Sequence, residues 1–94
     1  FAEKNGIFTN TERRLQRVRK AVEPPGESKE DSWIILELSR KLGYEMKYNF
    51  IEEVLNEAGK LWPAVAGINY TRIEKTGLQW PCPTFNHPAR ERKK

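Results

Sequence analysis

Apolar and polar positions alternate in different ways along this chain. Between Ser28 and Gly43 the apolar residues recur at helical spacing. Ile34, Ile35, Leu38 and Leu42 share one face, with Trp33 beside it. Glu27, Glu30 and Asp31 suit the positive end of a helix dipole, and Ser28 or Asp31 can cap it. Arg40 and Lys41 fall in the last turn, and Gly43 is a natural stop, so a helix is expected over 30–42. A second helix is expected where Phe50, Ile51, Val54, Leu55 and Ala58 make a buried stripe, opened by a capping box of Asn49 with Glu52 and ended by Gly59. A third, shorter helix fits Asn69 to Lys75, stopped by Gly77. Trp80-Pro81-Cys82-Pro83 and His87-Pro88 read as loop, because closely spaced prolines leave no room for an element.

Residues 5–22 support two readings. Asn5-Gly6 is a turn signal, Ile7-Phe8-Thr9 has strand composition, and a turn at Asn10-Thr11 would return the chain through Arg14 to Val18 as a hairpin. Alternatively, Thr9 and Glu12 form a capping-box pattern and Leu15, Val18 and Val22 repeat at helical spacing. Pro24-Pro25-Gly26 ends either element. The expected fold class is α+β: a short N-terminal hairpin (1–22), a mainly helical part with two or three short helices (28–80), and a Pro-rich loop.

Composition narrows the function classes. At 94 residues there is material for one small domain with a thin core, so help from neighbouring polypeptide is expected. The chain is 37% hydrophobic and 32% charged, too apolar for full disorder. No apolar run approaches the ~20 residues of a spanning helix, so no membrane is expected. The opening Phe1-Ala2-Glu3-Lys4 lacks a signal-peptide stretch, and a start on Phe rather than Met suggests a piece of a longer protein. Net charge is +4 with an isoelectric point near 9.4, which favours an anionic partner. The charge sits in Arg13, Arg14, Arg17, Arg19 and Lys20 and in a basic tail over 89–94. A small basic nucleic-acid-binding or protein-interaction module is the alternative this raises, but, for nucleic acid, aromatics are not interleaved with the basic run and no recognition motif accompanies it. Cys82 is the single cysteine and His87 the single histidine. The chain alone therefore holds no iron–sulfur cluster or Cys-based zinc site, and a reducing, cytoplasmic setting is the simplest context.

Three runs carry a resemblance. Phe1 to Gln16 reads FAEKNGIFTNTERRLQ. Pro25-Gly26-Glu27 is followed by Asp31-Ser32-Trp33 and a helix ending Leu42-Gly43-Tyr44. Gly67-Ile68-Asn69-Tyr70-Thr71-Arg72-Ile73-Glu74 leads to Gly77-Leu78-Gln79-Trp80-Pro81-Cys82-Pro83. In this order, over residues 1–88, they resemble the molybdopterin oxidoreductase superfamily, the formate dehydrogenase alpha subunit above all and periplasmic nitrate reductase more distantly. The resemblance implies a parent enzyme that oxidises formate to carbon dioxide. Such a parent carries molybdenum or tungsten on two molybdopterin guanine dinucleotides, with a Cys or selenocysteine metal ligand on a distant segment. It also carries a 4Fe–4S cluster near its N-terminus and works with electron-transfer subunits. The matching segment lies late in such a subunit, so this chain would be a fragment whose partner is the remainder of the same subunit. By itself it is expected to be inactive and to bind no cofactor.

Two positions match family residues that touch a pterin dinucleotide: Lys4, in Glu-Lys-x-Gly, and Asp31, just before the tryptophan-bearing helix. An ammonium is a point-charge partner for a phosphate or ring oxygen, and a carboxylate accepts hydrogen bonds from a guanine edge. Without the resemblance Lys4 reads as a solvated terminal lysine and Asp31 as a helix cap, and Asp31 can serve in both roles. Glu12, Arg13 and Arg14 read equally well as a surface ion-pair cluster or as residues buried between domains. Trp33, Trp62 and Trp80 read as core or interface, Cys82 as a small apolar loop residue, and His87 as solvent-facing. The chain departs from the family at Ile7, where Thr is usual, and after Pro88, where Gly and Thr commonly follow.

Overall fold

The computed structural model describes residues 1–88; the expected basic tail over 89–94 lies outside the described residues. The N-terminal segment is the hairpin. β1 (Gly6–Thr9) and β2 (Arg14–Val18) run antiparallel, with Ile7 opposite Arg17 and Thr9 opposite Leu15. Asn10 closes the turn. Its side-chain oxygen accepts from the Glu12 and Arg14 amides at 3.0 Å each, and Arg13 takes the left-handed conformation (φ 62°) between them. The helical reading of this segment lost because its two faces are used by different partners. Leu15 points into the core, while the backbone of β2 pairs on both edges. A strand absent from the sequence reading, β3 (Leu78–Gln79), adds antiparallel to β2 and gives a sheet of order β1-β2-β3.

α1 (Asp31–Lys41) and α2 (Ile51–Leu61) are the two expected helices. α1 ends on a Schellman motif in which Gly43 (φ 80°) donates to the Arg40 carbonyl and Tyr44 to that of Ser39. At its other end neither Ser28 nor Asp31 caps. Glu30 is the N-cap without a side-chain bond, and Asp31 is the first helical residue, its carboxylate drawn away to Lys4. The α2 capping box sits one residue later than expected. Glu53, not Glu52, accepts from the Asn49 amide at 2.7 Å and the Phe50 amide at 3.5 Å; Phe50 has no side-chain acceptor with which to answer. Gly59 does not end α2, which continues to Leu61; a Cβ there would stand 3.1 Å from Ala66, so the small residue admits a neighbour rather than breaking the helix. A short 3₁₀ turn (Pro63–Val65) follows.

The third helix does not form. Residues 69–75 make successive turns in which Asn69 caps the Arg72 amide through its side chain at 2.8 Å and Ile73 donates to the Asn69 carbonyl. Tyr70 and Ile73 both enter the core from these turns. That core comprises Leu15, Leu55, Val65, Ile68, Tyr70, Ile73, Leu78 and Cys82. It is supplied mostly by turns and loop, not by the helices. The apolar face expected to be buried on α1 is not: Ile34, Ile35, Leu38 and Leu42 are all exposed, and Ser39 is the buried residue of that helix.

Candidate functional site

Lys4 and Asp31 lie 27 residues apart in sequence, and the fold brings them together as a hydrogen-bonded ion pair. Two local features achieve this. The hairpin holds the segment before β1 in place, since the Ala2 carbonyl accepts from the Ala21 and Val22 amides at 2.7 and 3.1 Å. The turn around Pro25 and Ser28 then delivers the start of α1 beside it. Asp31 remains largely exposed, while Lys4 is two-thirds covered. The Lys4 hydrogen bond, and then its charge, hold the Asp31 carboxyl below the usual carboxylate range.

The pair stands on the wall of a cleft of about 980 Å³ between β1, α1 and α2. Asn5, Ser32 and Tyr48 give it polar points, and Ile35, Ile51 and Leu55 give it apolar surface. A cleft of this kind, apolar with a few converging polar groups, suits a large, partly charged organic ligand. Among the described residues no group of three His, Cys, Asp or Glu side chains could hold a metal ion.

A second cluster, to which the sequence reading gave no role, flanks the cleft. Arg17 lies over the Tyr70 ring at 4.2 Å and 3.4 Å from the Glu74 carboxylate, which also accepts from Arg19 at 2.6 Å. Burial pushes the Tyr70 phenol up, and the hydrogen bond from Arg19 holds Glu74 down. These contacts bear on the basic run. Arg13 sits over Trp80 at 5.3 Å, Arg14 is buried and donates to the Gly77 carbonyl at 2.7 Å, and Lys20 pairs with Glu23. Each cation of the basic run thus has a contact within the chain, Arg13, Arg19 and Lys20 while still exposed.

Other expected positions resolve as follows. Glu12 lies 3.8 Å from Arg14, so that cluster is half surface and half core. Trp62 and Trp80 meet edge to face at 5.0 Å. Cys82 is fully buried, as a small apolar residue should be. His87 is half-buried rather than solvent-facing, since its carbonyl accepts from Arg72 at 3.2 Å and draws the residue inward. Arg72, a second residue that sequence reasoning passed over, also donates to the Gly67 carbonyl at 2.6 Å and approaches the Cys82 sulfur at 3.2 Å. Its only signal was its place in the Asn69-Tyr70-Thr71-Arg72 run, which names no partner.

The family model for molybdopterin oxidoreductases matches residues 1–41, a span that contains both Lys4 and Asp31. The F420-dependent formate dehydrogenase subunit alpha of Methanocaldococcus jannaschii is 52% identical over 89 residues, covering 93% of this chain and 13% of the relative. The F420-dependent formate dehydrogenase 2 subunit alpha of Methanococcus maripaludis is 46% identical over 91 residues, 95% of this chain and 14% of the relative. The chain thus spans about one seventh of the length of these two relatives. It belongs to the molybdopterin oxidoreductase family, and these matched relatives are formate dehydrogenase alpha subunits.

Proposed function

We propose that this chain is a segment of the wall that holds a molybdopterin guanine dinucleotide in a formate dehydrogenase alpha subunit, with Lys4 and Asp31 as the residues that contact the dinucleotide. The pairing of these two side chains on the wall of the cleft carries the reading. Residues within hydrogen-bond reach of each other can touch one ligand, and the two side chains are paired with each other. Their donor set fits the cofactor. The ammonium offers three N–H donors to phosphate or ring oxygens, and the carboxylate offers acceptors to a guanine edge. Ligand entry would exchange one exposed ion pair for two contacts to the ligand, a small loss because such pairs contribute little in water.

In the whole subunit the cofactor, carrying molybdenum or tungsten, supplies the two-electron oxidation of formate to carbon dioxide. This segment's own residues bind and orient. Its partners are the rest of the alpha subunit, which carries the metal ligand and a 4Fe–4S cluster, and electron-transfer subunits beyond it. Cytoplasmic location is supported by Cys82, a free buried thiol; no helix among the described residues is long and apolar enough to cross a membrane. The chain alone is expected to oxidise no formate.

The test is made in the natural subunit that carries these residues. Lys4→Ala and Asp31→Asn are each expected to lower its pterin content several-fold, read as fluorescence of the oxidised pterin released on denaturation, while circular dichroism stays unchanged. Full pterin content in the double variant would remove both residues from the site.

A further inference from the structure

α1 is inside-out for a free-standing protein. The side that the rest of the chain covers carries Ser39, whose hydroxyl donates to the Leu36 carbonyl at 2.8 Å and accepts from the Met46 amide at 3.4 Å. The side open to water carries Ile34, Leu38 and Leu42, which are 50, 54 and 75% exposed. These three are spaced four residues apart, so they form one continuous stripe, with Trp33 and Ile35 at its edges, both about half exposed. Exposed apolar surface is unfavourable relative to burial, and a contiguous patch on a helix marks a surface meant to be covered.

We propose that this stripe is an internal seam, docked on apolar surface supplied by the part of the same polypeptide that lies outside these 94 residues. The inference rests on the reading of the chain as a segment of a larger alpha subunit. Three observations select that occupant. The matched region is only 13% of the relative's length, so the relative holds ample polypeptide to cover it. The stripe is also continuous with the cleft, because Ile35 and Asp31 line the cleft from the same helix, and whatever completes the cleft lies next to the stripe. Finally, the stripe's centre is apolar, the charges on its face being one of each sign at its two ends, Asp31, paired with Lys4, and Lys41 in the last turn, so the complementary surface is mainly apolar rather than acidic or basic. A second copy fits less well. An 11-residue helix is about 16 Å long, and one such stripe against its twin falls well short of the ~1,200 Å² that a stable interface buries.

Carbene footprinting by mass spectrometry tests this without any variant. It is run on the 94-residue chain alone and on the natural subunit. Ile34, Leu38 and Leu42 are expected to label heavily in the chain alone and about tenfold less in the subunit, since a covered residue touches protein on every side. Ile73 is expected to stay protected in both. Equal labelling of the stripe in the two samples overturns the inference. A defined dimer of the chain by sedimentation, with the stripe protected in the dimer but labelled in the subunit, overturns it in favour of a second copy. Pterin content of the Lys4 and Asp31 variants is read separately, so either the seam or the cofactor wall can fail while the other stands.

Discussion

The stretch from Pro63 to Pro88 and the helix α1 are opposites. The first has almost no regular structure, a 3₁₀ turn and two strand residues, yet it supplies most of the core and holds its carbonyls on the Arg72 guanidinium. The second is a well-formed helix with a proper C-terminal stop, yet its large apolar residues face water. Regularity and burial are therefore separate properties. A helix is written in local spacing, whereas a packed irregular loop is written in many specific long-range contacts. Each of those contacts depends on a residue with no periodic signature. Gly67 is one. Any Cβ there would fall onto the Thr84 and Cys82 carbonyls, so the two loop arms can approach only at a glycine.

If this contrast is right, damage concentrates in the irregular half. Ile73, 1% exposed at the centre of the core, should be the most sensitive of the positions considered. Ile73→Ala is expected to cost about 2–5 kcal/mol by urea denaturation, the usual range for emptying such a site. Arg72→Met should come next. It preserves volume but takes the guanidinium from the Gly67, Thr84 and His87 carbonyls, of which Thr84 keeps the His87 amide, and a loss of about 2 kcal/mol is expected. The same variant should speed amide exchange in residues 82–88 selectively. Uniform acceleration over the whole chain would mean that the guanidinium merely fills space.

Position 38 sharpens the comparison from the other side. Leu38→Gln in the 94-residue chain keeps a good helix former and removes a leucine that touches mostly water. Stability should change by no more than about 0.5 kcal/mol, as at an ordinary surface position. A loss as large as that of Ile73→Ala would show that α1 packs on its own chain in solution, and the two regions would no longer be opposites.

How much of this was legible in the residues follows from the same physics. The two helices, the Gly43 stop and the hairpin turn at Asn10 come from local rules, and they were readable. The hairpin itself was ambiguous because Leu15, Val18 and Val22 satisfy a helical period; pairing of β2 with β3, more than sixty residues away, decides the question, and no local pattern reports it. The third helix, expected from Asn69 to Lys75 with a stop at Gly77, does not form; the Asn69 side chain closes a turn on the Arg72 amide there. On α1 the stripe was identified correctly and its environment was not: periodicity says which side a helix would bury, and it does not say whether the covering surface belongs to the same stretch of chain. For the site, Lys4 and Asp31 came from family likeness. Only the fold could show that they meet, and only the fold exposed the Arg17–Tyr70–Glu74 cluster beside them.

The smallest effect is expected at Asp31, and its smallness is informative. Its carboxyl is held below the ordinary value of 3.8 by the hydrogen bond and charge of Lys4. A depressed folded value means that the ionised form is favoured on folding. The pair's contribution is therefore fully present above the unfolded value and is lost as pH falls through the lowered folded one. Glu74, depressed from 4.5 chiefly by the hydrogen bond from Arg19, follows the same sign in the window just above. Melting temperature should accordingly be flat from neutrality to about pH 5 and fall below about pH 4. Asp31→Asn should lie slightly under the parent at neutral pH and converge with it in acid. Added salt should shrink the neutral-pH gap, because the carboxylate is largely exposed. A gap that persisted unchanged at about pH 3 would mean that Asp31 supports the fold by geometry rather than charge. A gap near zero at every pH would fit the proposed role better still: a carboxylate that the fold scarcely needs is one whose partner can be exchanged for a ligand without loosening the start of α1.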